Sequence, residues 1–397
     1  MDRVDKLQML VGGAQYDVCS TTADVSRRGP GHTRTGAIYH AVVPGGTVPL
    51  FKVLLTNVCV NDCAYCANRS ARDIPRSTFQ PDELAKTFMD LYRKRRVKGL
   101  FLSSGVAHNA SRTQEDMVKV VEILRHRHQF DGYVHLKILP GAPMDCVEAG
   151  CRLATRVSVN MEAPTAQHMV RLSRRKNLRE DIVDRMRWAR DLMLTEEGVV
   201  PSGQTTQFVV GAAGESDRDI LRTSAALCNE MELRRVYFSA FRPVSGSPLE
   251  GVGAAPPVRE HRLYQAEWLI RVYGFPMQEV ELAFGERGNL PWTKDPKLAI
   301  AQREPWLFPV DVNTATYDEL LRVPGIGPVS AARILEGRRD HSVFSLQQLK
   351  KMGVPTKRAL PYIWFQGMLP AERQVSFLPE LDEEECDPAP ALAECLG

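Results

Sequence analysis

Cys59, Cys63 and Cys66 stand on one short loop, CVNDCAYC, directly behind the apolar run LFKVLLTN. Thiolates are soft ligands, and loop cysteines separated by three and then two residues can converge on one iron–sulfur cluster or on one zinc ion. A structural zinc needs a fourth ligand. The stretch from Ala67 to Ala107 holds neither Cys nor His, so a zinc would have to be completed by a distant residue. Three thiolates without a neighbouring fourth fit a cluster that leaves one iron open. A zinc completed from afar and three unrelated thiols remain the other readings.

The bulk of the chain is compatible with that chemistry. It has 397 residues, 44% of them hydrophobic, which is enough for one large domain and at least one small one. Nine cysteines, an odd number, do not form the framework of a secreted disulfide protein; thiols kept reduced or used as ligands are expected, and with them a cytoplasmic setting. No apolar run approaches the length of a membrane span, and MDRVDKLQMLVGG is too short in its apolar part for a signal peptide. A net charge of +3 excludes nothing about partners.

The elements that must position the loop read as six strand-then-helix units. Apolar, β-branched runs occur at residues 50–56, 99–105, 133–139, 156–163, 205–211 and 235–241. Helical patterns follow them: PDELAKTFMDLYRKRR, TQEDMVKVVEILRHRH, MDCVEAGCRL, LREDIVDRMRWARDLM, DRDILRTSAALCNEM and REHRLYQAEWLIRVYG. Alternation of this kind implies parallel strands joined by crossovers and covered by helices. Whether the sheet closes, opens part-way or lies flat is left open by the pattern. In each case the site belongs at the C-terminal ends of the strands, where the cysteine loop falls.

CxxxCxxC with an aromatic, Tyr65, before its last Cys, placed behind the first strand of a βα series, resembles the radical S-adenosylmethionine superfamily. The resemblance covers roughly residues 45 to 275. It implies that Cys59, Cys63 and Cys66 hold a [4Fe-4S] cluster whose remaining iron chelates the amino and carboxylate groups of S-adenosylmethionine. An electron delivered to the sulfonium would then yield a 5′-deoxyadenosyl radical that abstracts a hydrogen atom. Ser103, Ser104 and Gly105 stand where the family has a glycine-rich segment that bonds the methionine amino group, with two serines here in place of glycines. Asn160 and Glu162 of SVNMEAP alternate to one face and resemble the ribose- and amino-group site. Arg174 and Lys176 of RLSRRKN would meet the cofactor carboxylate. Gly211 and Glu215 of GAAGES resemble the stretch flanking the adenine, which Tyr65 would also contact. The plainer readings are a hydrogen-bonded strand end for Asn160 and Glu162 and a tight turn for Gly211. FSAFRPVSGSPL, with Arg242, reads as a loop over the pocket. No residue is assigned as catalytic. The expected fold is therefore α/β, a partial (β/α)6 TIM-type barrel followed by a small all-α domain.

A narrower likeness joins AQYDVCSTTADVSRRG, PLFKVLLTNVCVNDCAYCANRS and GLFLSSGV to a bacterial set described as DNA modification or repair radical proteins. That set is associated with a uracil-DNA glycosylase-like partner. Cys19 lies in the first of these stretches; a second-metal role for it, or for Cys146 and Cys151, stands beside the simpler account of buried thiols.

After Pro305 the chain changes character. DVNTATYDELLRVPGIGPVSAARILEGRR contains a helix opened by Asn313 and Thr314, a VPGIGP turn, and a second helix from Pro328 or Val329. It resembles the helix-hairpin-helix module. Gly325 and Gly327 permit the tight backbone path and keep side chains away from amide N–H groups that can face a phosphate, Ile326 packs between the helices, and Arg333, Arg338 and Arg339 extend a basic surface. FSLQQLKKMGVPTKRALPYI repeats the layout in degenerate form, completing four helices, with Lys350, Lys351, Lys357 and Arg358 exposed. Packing or protein contact is the alternative use of such a hairpin. The stretch Arg171 to Arg190, with eight basic and three acidic residues, could extend the nucleic-acid surface or be a solvated helix. PELDEEECDPAPALAECLG has seven acids and no bases and is expected to be disordered or a partner arm.

The expected organisation is an N-terminal extension (1–45), a barrel (46–276), a linker (277–309), a nucleic-acid-binding helix-hairpin-helix domain (310–370) and an acidic tail (371–397). The expected function is a radical enzyme acting on nucleic acid, DNA before RNA, with modification or repair of a base or sugar as the reaction. A non-catalytic iron–sulfur adaptor for a glycosylase-like partner is the reading from another class. The radical reading also requires an electron donor such as flavodoxin or ferredoxin.

Overall fold

The structure, a computed structural model, describes residues 3–14, 38–43, 46–343 and 345–365. The chain divides into two compact units, Met1–Arg303 and Glu304–Gly397.

The first unit is built on a seven-stranded sheet: β1 (Ile38–Val43), β2 (Gly46–Leu54), β3 (Gly99–Ser103), β4 (Tyr133–Lys137), β5 (Arg156–Ser158), β6 (Gln204–Val210) and β7 (Leu233–Ala240). β1 pairs antiparallel with β2, and β2 to β7 are parallel neighbours in sequence order. Crossovers of one hand between strands in that order place all the helices on one face, and the sheet curls around the other as an incomplete barrel. The expected partial (β/α)6 barrel is thus present, with one antiparallel strand, β1, that the βα pattern did not include.

The helices begin where the sequence supplies caps. α1 spans Arg3–Ala14 and packs on β2. α2 (Pro81–Arg93) starts with a reciprocal box between Gln80 and Glu83 and has Pro at its first position. α3 (Ala110–Glu122) is capped by Asn109, whose side chain accepts the Arg112 N–H. It runs into a π turn at Ile123–Arg127. α4 (Met144–Leu153) falls where the pattern put it. Between β5 and β6 the chain inserts α5 (Ala166–Leu172), capped by Thr165, ahead of a π turn at Leu178–Val183 and α6 (Asp184–Thr195). α7 (Asp217–Glu230) carries a Ser216–Asp219 box, and α8 (Pro257–Arg271) follows β7.

The linker expected over 277–309 is largely folded. α9 (Met277–Val280) and α10 (Pro296–Arg303) pack with α8, burying Val280, Leu290, Ala299 and Ile300. Apolar residues hidden among Gly and Pro in ELAFGERGNLPWTKDPKLAI carry this, a pattern too short to register as a helix-length period.

The second unit contains α11 (Tyr317–Arg322), α12 (Pro328–Asp340), α13 (Leu346–Lys351) and α14 (Thr356–Ala359). Its ends are tied by a two-residue parallel pair, β8 (Val310–Asp311) with β9 (Ile363–Trp364). The first helix opens at Thr316, not at Asn313 and Thr314: Thr316 accepts the Glu319 N–H and Glu319 returns the bond to Thr316 N–H. Asn313 instead bridges to Val343, donating from Nδ2 to its carbonyl and accepting its N–H. The degenerate second copy is visible in the backbone. Gly325 and Gly353 both take left-handed φ, +89° and +76°, and each is followed by a buried aliphatic, Ile326 or Val354. The acidic stretch from Pro379, Cys19 and residues 371–397 lie outside the described residues.

Candidate active site and nucleic-acid interface

The cysteine loop leaves the C-terminal end of β2 and is fastened from several sides. Asn57 accepts the Ser77 N–H on Oδ1 and donates to the Pro75 carbonyl. Arg76 donates to four carbonyls that surround the loop, those of Asn57, Asn68, Arg69 and Arg72. Asp62 accepts from the Ser173 hydroxyl and from the Arg174 N–H, the Arg175 guanidinium donates to Val60 O, and Ala64 N–H donates to Leu172 O. The basic segment RLSRRKN is therefore latched onto the loop by residues that no spacing rule singled out.

Sulfur environments follow from that frame. Asn68 N–H points at Cys66 Sγ (3.4 Å) and Val106 N–H at Cys59 Sγ (3.5 Å), while Val60 N–H donates back to Val106 O. Cys63 is buried, and burial pushes its thiol up. Packing pushes Cys66 up to about 12. Thiolates at such positions need compensating positive charge, which a bound metal centre brings.

The second strand's end meets the loop directly. Gly105 N–H donates to Thr56 O (2.7 Å), and a Cβ on Gly105 would lie 2.4 Å from Val58 O, so only glycine allows this approach. Ser103 is buried, and the buried Ser104 Oγ has no hydrogen-bond partner.

Glu162 lies beyond β5 in left-handed backbone (φ 62°), fixed there by Glu162 N–H to Gln207 O and Val209 N–H to Glu162 O. A non-glycine residue held in that region stores about 1 kcal/mol or more of strain. Burial, followed by the nearby Glu162 charge, lifts Tyr65 well above its ordinary range. The Glu162 Oε2 is buried without a hydrogen-bond partner. Lys176 reaches the Cys63 thiol. Burial works against its charge, but Cys63, Glu162 and Cys66 outweigh it and hold the ammonium above the usual lysine range. The structure thus brings together Cys63, Cys66, Tyr65, Glu162 and Lys176. Asn160 is buried at the same strand end.

Other predicted residues are engaged differently. Arg174 is exposed, and it is its backbone N–H that binds Asp62. Glu215 turns its carboxylate onto its own loop, accepting from Gly211 and Ala213 N–H, so it shapes the loop. Gly211 needs to be glycine on two counts, φ +90° and a hypothetical Cβ 2.8 Å from Ala255 Cβ. Arg259 braces the same turn through Glu215 O and Asp217. The Arg171–Arg190 run is largely occupied: Arg171 with Ala213 O, Arg185 with Ala142 O and the Trp188 ring, Arg187 with Asp184, and Arg190 with Glu230 O. These contacts fasten much of the run to the rest of the first unit. Cys146 and Cys151 are buried thiols pushed up to about 11 and about 12 by desolvation.

Residues 53–227 match the Radical SAM superfamily. They form a radical SAM domain. Residues 309–354 match the helix-hairpin-helix motif. Proteins of the radical SAM class bind a [4Fe-4S] cluster and S-adenosylmethionine. The radical SAM domain's own residues fit the group: three thiols on one clamped loop, backbone N–H groups aimed at two of the sulfurs, and orphaned buried oxygens on Ser104 and Glu162. Among the described residues no three His, Cys, Asp or Glu side chains are arranged to hold a metal ion. A cluster gives each thiolate its own iron, so the sulfurs need not share one point.

Solved structures similar to the chain include HydG, a maturase of FeFe-hydrogenase (13% identity, TM-score 0.44, 55% of this chain and 49% of that one). Methylornithine synthase, PylB, aligns at 14% identity and TM-score 0.43 over 53% of this chain and 59% of that one. The radical S-adenosylmethionine methyltransferase TsrM from Kitasatospora setae, with cobalamin and a [4Fe-4S] cluster bound, aligns at 14% and 0.39 over 76% and 60%. The chain thus spans about half to three-fifths of the length of these proteins. No curated protein matches it. No described helix is long and apolar enough to cross a membrane.

In the helix-hairpin-helix motif, Gly327 caps α12 and Pro328 takes its first position. Ile326 is buried beneath the turn. Gly325 faces the second hairpin: its Cβ would sit 3.0 Å from Arg358 Cβ and 3.3 Å from Pro355 O. Arg333 donates to Met352 O and Arg338 to Val312 O, so both guanidinium groups tie the domain together. Arg339 is exposed.

Proposed function

We propose that this chain is a radical SAM enzyme acting on nucleic acid, with modification or repair of a DNA base or sugar as its reaction. The observation that carries the reading is the co-occurrence, in one chain, of the radical SAM domain and a helix-hairpin-helix motif whose α12 begins at a glycine turn. Cys59, Cys63 and Cys66 would hold the cluster. Glu162, Lys176, Tyr65, Asn160 and the Ser103–Gly105 backbone would receive S-adenosylmethionine, with Gly211 and the loop shaped by Glu215 beside the adenine, and Arg174 would complete the basic edge. The cluster and S-adenosylmethionine together supply a 5′-deoxyadenosyl radical for hydrogen abstraction.

The protein's part is to hold and orient. Lys176 offers a cation and Glu162 a carboxylate oxygen within one buried cluster, a pairing suited to a group bearing both an amine and a carboxylate. The hairpin module would bind phosphate through backbone N–H groups around Gly325 and Gly327, with Arg333, Arg338 and Arg339 at its basic edge. Such contacts position a strand without reading bases, and their affinity falls with salt. A base within a duplex would be flipped or presented single-stranded. A uracil-DNA glycosylase-like partner and an electron donor such as flavodoxin or ferredoxin belong to the same reading.

The test is anaerobic reconstitution followed by reduction. Formation of 5′-deoxyadenosine that DNA stimulates supports the reading. Stimulation by RNA alone would move the substrate to RNA, and an intact cluster with no cleavage would favour the adaptor.

A further inference from the structure

The sheet of the radical SAM domain has two chemically different faces. Leu102, Leu136, Val157, Phe208 and Phe238 are fully or almost fully buried and apolar on the helix side; Phe238 packs edge-on against Tyr264 of α8. Alternate positions on the concave side carry polar and basic groups, Lys52, His135, Lys137, Ser158, Thr205 and Arg235, among the apolar Leu50, Leu54, Phe101 and Val209. None of the inward positions of β2 to β7 is acidic. A closed barrel of this kind fills its interior with branched aliphatics. Apolar and aromatic side chains with a few convergent polar and charged groups among them are the lining of a binding chamber.

Within that lining one row stands out. Lys137 is level with Ser158, Ser158 with Thr205, and Thr205 with Arg235, across four neighbouring strands. His135 Nε2 shares a hydrogen bond with Ser158 Oγ (2.9 Å). Thr205 is 1% exposed, yet its Oγ1 has no hydrogen-bond partner. Arg235 lies over the Tyr237 ring at 5.3 Å, and its Nε also lacks a partner. A buried hydroxyl and a guanidinium N–H left unbonded cost stability, so the row is set for something that brings acceptors. Both orphaned groups donate, and one carries charge, which selects an anion rich in oxygen. The row sits on the strand bodies, below the rim that carries Asn160 and Glu162.

We propose that Ser158, Thr205 and Arg235, flanked by His135 and Lys137, bind a phosphate of the substrate's nucleotide unit inside the barrel. This rests on the nucleic-acid reading above and adds to it a second, internal phosphate site, distinct from the hairpin module. The shared chemistry is a phosphate ester; a free nucleotide and a nucleotide within a strand are separated by the test.

Reconstituted holoprotein is titrated by calorimetry with inorganic phosphate, with each deoxynucleoside 5′-monophosphate, and with short single-stranded DNA. The variants are Arg235→Gln, Thr205→Val and Thr205→Ser. Expected is nucleotide binding weakened about tenfold by Arg235→Gln and several-fold by Thr205→Val, with Thr205→Ser close to wild type. Iron content, visible absorbance and melting temperature report whether the variants fold, and these should match wild type. Monophosphates that bind through the row while DNA does not would support the internal site and remove the nucleic-acid reading. DNA binding unaffected by both variants, together with no monophosphate binding, would overturn the internal site and leave the nucleic-acid reading intact. Equal nucleotide affinity in wild type and Arg235→Gln would also overturn it.

Discussion

The cysteine loop and the first hairpin are both short turns on which a function is concentrated, but they are held in different ways. The cysteine loop is fastened by side chains that arrive from elsewhere: Arg76 on four carbonyls, Asn57 on the segment at Pro75 and Ser77, and Asp62 on Ser173 and Arg174, more than a hundred residues away. The hairpin is held by local means, a Thr316–Glu319 capping box, a left-handed Gly325 and a buried Ile326. Where, on the proposed function, three sulfurs would meet one inorganic group, the backbone is over-determined at long range. Where, on the proposed function, backbone amides would meet a phosphate, the turn is held locally.

That contrast can be broken at several points. Replacing Cys59, Cys63 or Cys66 by Ala should abolish the visible absorbance of reconstituted protein and most of its iron and sulfide, while DNA affinity stays at the wild-type value. Stoichiometric zinc without sulfide in the wild type would replace the cluster by a single ion. Arg76→Met removes one donor from four carbonyls and should cost about 2 kcal/mol of stability together with cluster yield; Arg76→Lys should restore only part of the yield, because a point charge cannot span the fork. Full yield in Arg76→Met, measured by iron per chain, would show that the clamp is dispensable.

Gly105→Ala places a methyl 2.4 Å from Val58 O and should cost about 1–3 kcal/mol, read by thermal unfolding and by lower cluster content. In the hairpin, Gly325→Ala forces an alanine to φ +89°, at about 1–2 kcal/mol, and presses on Arg358. Its effect on DNA binding therefore passes through the fit of the two hairpins, and it should leave the cluster untouched.

The smallest effect is expected at the capping box. Thr316→Ala should cost about 1 kcal/mol in the second unit's unfolding. Thr316 N–H and, after it, the Thr316 hydroxyl that alanine would remove hold Glu319 below the ordinary carboxylate range. A depressed carboxylate stabilises above its unfolded value and loses that contribution as pH falls through its folded value. The Thr316→Ala penalty, measured by denaturation, should therefore shrink below pH ~4. A penalty independent of pH would mean that the Thr316 hydroxyl's bond to Glu319 contributes nothing.

Local features were the legible ones. Strand-length apolar runs located all six parallel strands, and Pro328 marked the start of α12, because both signals lie within a few residues of the element they specify. The start of α11 was misplaced at Asn313 and Thr314 since several cap-forming residues crowd DVNTAT, and Thr316 prevails by having Glu319 three residues on. Arg76, Asp62 and Ser173 carried no signal in spacing, since their partners are set by the curl of the sheet. Glu215 illustrates the opposite error: its position after β6 was legible, but not that its carboxylate is turned onto Gly211 and Ala213. The folded stretch 277–303 escaped because its apolar residues are scattered between turns.

On the proposed function a radical is generated at the cysteine loop and aimed at a polynucleotide, which gives a single decisive measurement. Reconstituted protein is reduced with S-adenosylmethionine and a deuterated polynucleotide, and the mass of the 5′-deoxyadenosine formed is measured. Deuterium in that product, present with DNA and lost in the Cys63→Ala protein, is the predicted result. Unlabelled 5′-deoxyadenosine formed at the same rate with DNA, with RNA and with neither would contradict it.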